Sequence, residues 1–501
     1  MAQDASDYRV RPDDFSDAGN AEVFAATWKG LVAYCDALGW LYFDGRRWVP
    51  NDHKALETAT KLAGWMLEDA RLEYAFAVRH EAEAQLAASE DESAKDVLKQ
   101  AQREVKDAAA YLAHAQRTRG VARVKGMMEL AKPALIVKAA QLDSDPYQLN
   151  TPDGIVDLRT GQLKRHGIDS PFQWCTRMTG AAPLDMDSQA DLEGYKMWYD
   201  FLEVIACNDH SLAGFLQMMA GMALIGKVYH EGILIANGCG RNGKSTFFNA
   251  LAGVLGDYAG YIDSNVLTTD RQNRGAALAT LRGKRLVIAP ELEEHQRLST
   301  STLKKLASTD KLTIEEKYRS PEDIEQTHTL VLFTNHLPRV GSTDSGTWRR
   351  LKVIPFMAVI PEDRGIQNYA DVLVEKAGPA ILSWAIEGAM NFIRNDHKLT
   401  IPDAVDEATE EYRAQEDWLE NFIGARCIKE PGSKTGARDL YLAYKDWACE
   451  NGEYVRREND FAAALLAAGY QKTTPKNRKT WHGLRLAQGF GSAGNCWSAT
   501  G

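Results

Sequence analysis

At 501 residues the chain is too long for one compact core, and the usual size of domains divides it into about three or four. With 45% hydrophobic and 26% charged residues it has the composition of ordinary globular protein, which excludes wholesale disorder. The formal charge of -10 excludes global attraction to nucleic acid, so such a partner has to be gripped by local basic surface.

The seven cysteines are odd in number, scattered, and never form C-x-x-C, which suits a reducing compartment and argues against a zinc site or a disulfide framework. Cys207 and His210 come nearest to a metal pair. With no second pair at ligand spacing they read as a buried thiol near a surface histidine. The first residues carry no basic region followed by an apolar core, so they are not a secretory signal. The longest nearly apolar stretch, 212–226, contains Gln217 and is too short to span a bilayer. Its Met218, Met219 and Met222 recur at helical spacing, as in a packed core or subunit contact. These features predict a cytoplasmic protein with no membrane partner.

In chain order, residues 40–48 predict two short aromatic strands about an Asp44-Gly45 turn. From about Lys54 to Met128 the Ala-, Glu-, Lys- and Gln-rich composition predicts long helices. Arg117, Arg119, Arg123 and Lys125 form a basic cluster there, read first as a solvated helix face and second as a DNA contact. Asp143-x-Asp145 resembles paired metal carboxylates, but Pro146 follows at once and no strand leads in, so loop capping is the better reading. A second hairpin is predicted over 153–163, and helices over 192–226.

The densest chemical signal follows. Gly238-Cys239-Gly240-Arg241-Asn242-Gly243-Lys244-Ser245 fits G-x-x-x-x-G-K-[ST] between a strand-like run, 232–236, and a helix-like run that opens with Thr246. In that pattern successive backbone N–H groups turn around a phosphate and the following helix adds its positive end. Lys244 reaches the β- and γ-phosphates, and the Ser245 hydroxyl ligates magnesium. Gly238, Gly240, Asn242, Gly243, Lys244, Ser245 and Thr246 are therefore the expected nucleotide contacts, with ATP and Mg2+ as cofactors.

Next, the buried-looking strand 285–289 delivers Glu291 to a sheet edge, where an acid can hold the magnesium shell and polarise water. Glu293 is the second choice. Strand 329–334 ends in Asn335, whose amide can contact the attacking water or γ-phosphate, although strand-ending Asn is also a common cap. Arg349 and Arg350 follow. An arginine displaced in sequence from the phosphate loop suits a finger entering a neighbouring subunit's site, and the bland alternative is a surface salt-bridge pair.

Beyond residue 416, helical periodicity over 418–427 and 439–449, a third helix capped by Glu458-Asn459-Asp460, and strands near 469–471 and 481–484 suggest three helices with a β-wing. Lys472, Lys476, Arg478, Lys479 and Arg485 occur there with no acid between them, the most basic surface in the sequence.

Gly238 to Ser245, Glu291, Thr334-Asn335-His336-x-Pro338 and Trp348-Arg349-Arg350, in this order, resemble the superfamily 3 helicases. More narrowly they are similar to the helicase part of the phage and plasmid primase-helicase family, related to the poxvirus primase-helicase. Residues 150–158 resemble the segment that family carries ahead of its motor, and the resemblance spans roughly residues 20–486. It implies an α/β fold with an AAA+-like P-loop NTPase core, a helical N-terminal and collar region, and a C-terminal winged helix. It also implies a hexameric ring that translocates 3′ to 5′ on single-stranded DNA inside a bacterial host cell.

In such rings a hairpin between the acid strand and the Asn strand carries basic residues into the pore, here Lys317 and Arg319. Lys476, Arg478 and Lys479 are the expected wing contacts to forked DNA. The expected divisions are an N-terminal helical region with two hairpins (1–185), a collar (186–228), the ATPase core (229–360), a helical connector (361–415), the winged helix (416–487) and a tail (488–501). Lacking zinc-ligand cysteine pairs and strand-borne metal carboxylates in its first part, the chain reads as a helicase served by a separate primase. The alternatives are an ATP-switched DNA-binding initiator and a translocase that moves DNA without separating strands.

Overall fold

The computed structural model describes residues 10–268, 278, 280–292, 296–314, 322–340, 345–361, 365–474 and 479–487. Glu293, Lys317, Arg319, Lys476 and Arg478 lie outside them. The chain forms two compact units, Met1–Ala182 and Pro183–Gly501, and together they give a mixed α/β protein with one parallel sheet.

In the first unit, α1 (Asp17–Thr27) starts where the Ser16 side chain accepts from the Gly19 N–H. Three antiparallel strands follow, β1 (Val32–Cys35), β2 (Gly39–Phe43) and β3 (Trp48–Pro50). Phe43 pairs with Trp48 across the Asp44-Gly45 turn, where the Asp44 carboxylate accepts from the amides of Arg46 and Arg47. The sequence points to β2 and β3 only. Four residues without alternation gave no strand signal for β1.

α2 (Asp52–Glu90) and α3 (Lys95–Thr118) pack along each other, and α4 (Val121–Leu135) packs on α1. Ala- and Leu-rich spacing lets α2 bury Leu62, Met66 and Ala70 against Tyr111 of α3, Met127 of α4 and Trp28. β4 (Gln148–Thr151), β5 (Gly154–Asp157) and β6 (Gln162–Arg165) form a second antiparallel sheet. Asp143 and Asp145 cap loops, as read. Asp143 accepts from the backbone and hydroxyl of Thr176, while Asp145 accepts from the Tyr147 N–H and pairs with Arg159 at 2.8 Å.

The second unit is built on five parallel strands in the order β13-β7-β12-β9-β8, namely β7 (Ile233–Asn237), β8 (Ala259–Tyr261), β9 (Leu286–Ala289), β12 (Thr329–Thr334) and β13 (Leu351–Pro355). The apolar runs of β7, β9 and β12 suit burial on both faces. α5 (Gln189–Ile205), α6 (His210–Met222), α7 (Lys244–Leu255) and α10 (Tyr369–Arg394) pack together, with Trp198 against Phe247 and Trp384. Met219 and Met222 are buried in this layer, so the methionine spacing marks core.

α8 (Thr300–Leu306), with Leu303 and Leu306, lies in the cluster that also buries Trp348 of α9 (Ser345–Trp348) and Tyr412 of α11 (Asp403–Glu416). Between β9 and β12, β10 (Leu312–Ile314) and β11 (Glu322–Ile324) form an antiparallel stem. Cys207 corrects the sequence reading. It is exposed in the turn between α5 and α6, where it and Asn208 take left-handed backbone.

Toward the C-terminus, α12 (Trp418–Arg426), α13 (Ala437–Glu450) and α14 (Glu458–Ala467) enclose Phe422, Tyr444, Phe461 and Trp481 with a three-stranded sheet ordered β14-β16-β15. These strands are β14 (Cys427–Gly436), β15 (Lys472–Thr473) and β16 (Thr480–Leu486). β14 escaped the sequence reading because Lys429, Glu430, Pro431 and Gly432 break any alternation, and the ladder shifts register between Lys429 and Lys434. The cap of α14 is also corrected. Its N-cap is Arg457 with no side-chain bond, and Glu458 and Asp460 stand in the first turn, where acids favour the helix dipole.

Candidate functional site

The five parallel strands deliver their C-terminal ends to one edge, the usual ligand side of such a sheet. β12 lies between β7 and β9, with Thr334 beside Asn237 and Leu332 beside Ala289. The residues that follow these strands, Gly238, Asn335 and Glu291, therefore meet although they are distant in sequence.

The loop after β7 is held open by its own chemistry. Gly243 has φ 79° and Arg241 has φ 61°, so left-handed residues alternate with ordinary ones and successive N–H groups can converge on an anion. A Cβ at Gly243 would also stand 2.4 Å from Ile205 Cγ2. Asn242, expected among the nucleotide contacts, turns its side chain inward. Its Nδ2 donates to Phe356 O at 3.0 Å and its Oδ1 accepts from Lys244 N at 3.3 Å. Its part is thus to brace the loop against β13.

Lys244 opens α7 and is buried, while Ser245 is exposed and Thr246 half-buried on the next positions. Its Nζ donates to Asn335 Oδ1 at 2.8 Å and to Gly238 O at 3.1 Å. Asn335 Nδ2 donates in turn to Glu291 Oε1, so cation, amide and carboxylate form one chain across three strands. Burial lowers the Lys244 pKa from its ordinary value, opposed by the Glu291 carboxylate. A partly desolvated ammonium held by neutral oxygens is short of counter-charge, which the oxygens of a polyphosphate would supply.

A cavity of about 840 Å³ opens over this chain. Gly240 to Thr246, Glu291 and Asn335 line one side. The other is lined by Phe201 and Val204 of α5, by Ile360 and Ile366 between β13 and α10, and by Tyr369 at the start of α10. Val204 and Ile366 are more than half exposed, an apolar wall suited to a planar base. Sequence reasoning missed this wall. Its residues belong to no motif, and only the packing of α5 and α10 on α7 brings them together.

The two arginines differ. Arg350 is tied down, donating to Gly346 O at 2.9 Å and pairing with Glu231 at 3.2 Å, whereas Arg349 is exposed. Leu351 lies beside Ile233 and Pro355 beside Asn237, so Arg349 is at the far edge of the sheet from the loop. The four residue steps from Leu351 to Pro355 alone span about 13 Å, too far for one side chain.

Of the DNA-binding expectations, the described residues hold the β10–β11 stem but not its tip, and Lys479, which is exposed. Two wing cations are engaged, Arg485 with Glu430 at 2.9 Å and Lys472 over the Trp481 ring at 5.2 Å. Among the described residues no group of three His, Cys, Asp or Glu could hold a metal, so Cys207 and His210 gain no further ligand. No helix is long and apolar enough to cross a membrane among them.

Residues 21–207 match the family described as D5 N terminal like, and residues 236–350 match a family of unknown function, DUF5906. A protein of Acanthamoeba polyphaga mimivirus named as a helicase is 27% identical over 329 residues, covering 62% of this chain and 34% of its own length. A helicase-named protein of Frog virus 3 is 24% identical over 412 residues, covering 66% and 42%. A primase-named protein of African swine fever virus is 24% identical over 381 residues, covering 70% and 38%. The chain thus spans about two fifths or less of these relatives. Among solved structures, the apo C-terminal region of NrS-1 is similar at TM-score 0.41 and 13% identity, over 70% of this chain and 86% of that one. The chain thus carries a D5 N terminal like region and is similar, over part of their length, to viral proteins named as helicases and primases.

Proposed function

We propose that this chain is an ATP-dependent replicative DNA helicase of superfamily 3, with an AAA+-like P-loop core and a C-terminal winged helix. The observation that carries the reading is the chain Lys244–Asn335–Glu291 at the edge of adjacent parallel strands. ATP is the substrate. The loop amides and Lys244 hold its phosphates, and Ser245 and Glu291 are the residues that would hold a Mg2+ ion, which would neutralise phosphate charge. Asn335, joined to both Lys244 and Glu291, senses whether the γ-phosphate is present, and Glu291 orients the attacking water.

Arg349 serves as the finger of the neighbouring protomer in a hexameric ring, because it is exposed and beyond reach of its own loop. Arg350 anchors the turn that presents it. Single-stranded DNA passes the segment between β10 and β11 that carries Lys317 and Arg319, and forked DNA meets the wing at Lys476, Arg478 and Lys479. A separate primase is a further partner, and a phage or mobile element replicating in the bacterial cytoplasm is the setting.

The test is Glu291→Gln. It keeps the amide chain and the shape, so nucleotide affinity measured by fluorescence titration should stay near the parent's. Turnover should fall by about 10²- to 10⁴-fold, the usual cost of losing a general base. Turnover at the parent's rate would remove Glu291 from the reaction.

A further inference from the structure

We propose that the corner joining α3 to α4 is an additional nucleic-acid contact, one that grips backbone phosphates. The inference rests on the DNA-motor reading above but concerns a surface of the first unit. From Ala108 to Met128 the chain has no Asp or Glu, and Arg117, Arg119, Arg123 and Lys125 fall inside that window. All four are exposed. Arg123 pairs with Asp17 at 3.0 Å, and the Arg117 Nε donates to Ala113 O one turn back at 3.1 Å. Among the described residues no ion pair holds Arg119 or Lys125.

An ordinary solvated helix face pairs its charges within a turn, and this unit does so elsewhere. Lys54 pairs with Glu57, Arg79 with Glu83 and Lys99 with Asp96. The corner does the opposite. The first turn of α4 holds no acid, and its N-cap Gly120 offers no side-chain bond. Arg123 and Lys125 therefore stand near the positive end of the helix dipole, where cations are unfavourable. A local conflict of this kind is offset when an anion sits among the cations. With no aromatic side chain between Arg117 and Lys125 the corner cannot stack bases, so it reads phosphates and not sequence.

The test uses the full chain and fluorescein-labelled DNA of about 30 nucleotides, as a single strand and as a duplex, with anisotropy titrations between about 50 and 200 mM salt. Arg119→Ala/Lys125→Ala is compared with the parent and with Lys99→Ala/Arg103→Ala, which removes the same charge elsewhere on α3. The corner variant should bind at least one probe roughly tenfold more weakly, with a salt slope shallower by about 1.5. The probe that suffers identifies single strand or duplex as the ligand, while the control and DNA-free ATP turnover stay at the parent's values. Unchanged affinity and slope for both probes would overturn the proposal, including where the corner serves an acidic protein instead. So would an equal loss in the control. A parent that binds neither probe would overturn the DNA-motor reading itself, whereas a corner variant indistinguishable from a DNA-binding parent overturns only this inference.

Discussion

Lys244→Ala should lower ATP turnover by about 10²- to 10³-fold, the range expected when one preorganised donor to a reacting phosphate is lost. Lys244 is buried and, among the described residues, its ammonium donates to the neutral Asn335 amide oxygen and Gly238 carbonyl, so the folded protein gains little from it without a ligand. Burial has already lowered its pKa. Removing a cation that lacks full compensation should leave the melting temperature of the nucleotide-free protein at or slightly above the parent's. The two proteins should diverge when nucleotide is added. At about 100 times its dissociation constant ATP adds about 2.7 kcal/mol to the parent's stability, and a variant that no longer grips the phosphates gains almost nothing. Thermal melting with and without ATP and Mg2+, beside a phosphate-release assay, separates loss of the site from loss of the fold. A variant that turns over ATP at the parent's rate would show that the phosphates lie elsewhere.

Arg349→Ala should lower turnover by about 10³-fold while leaving nucleotide affinity nearly intact, as expected of a finger supplied in trans. Arg350→Ala should behave differently. It breaks the pair with Glu231 and the bond to Gly346 O, so its effect should include a lower melting temperature. Mixing gives the sharper result. Lys244→Ala subunits keep Arg349, and Arg349→Ala subunits keep Lys244. In a head-to-tail ring, random mixing in equal amounts should leave about a quarter of the interfaces with both groups. Turnover of the mixture should therefore rise well above either variant alone. A mixture no more active than its components would confine each site to one protomer.

The site was legible in the sequence to the extent that its residues follow buried strands. Apolar runs ending in Gly238, Glu291 and Asn335 are read from composition, because a strand buried on both faces has little freedom in what it contains. Which strands lie side by side is not written locally. That Asn335 stands between the loop and the acid depends on β12 inserting between β7 and β9, a long-range pairing. The apolar wall of Phe201, Val204 and Tyr369 was invisible for the same reason.

Short strands failed where their signal is weakest, in β1 with four residues and β14 interrupted by Pro431 and Gly432. The bracing bonds of the Asn242 side chain were not legible either, because a motif names residue types and not the direction of a side chain, which here is set by Phe356 O. That Arg350 is paired and Arg349 exposed, the difference on which the proposed finger rests, was visible only with Glu231 in place.

The decisive measurement is displacement of one strand from a forked duplex, followed by fluorescence while ATP hydrolysis is recorded in the same sample. Strand release that rises with ATP turnover, stops with a non-hydrolysable analogue and vanishes in Lys244→Ala is the outcome required of a motor built on the Lys244–Asn335–Glu291 site. Release that proceeds equally with the analogue, or hydrolysis that runs at full rate without any release, would contradict it.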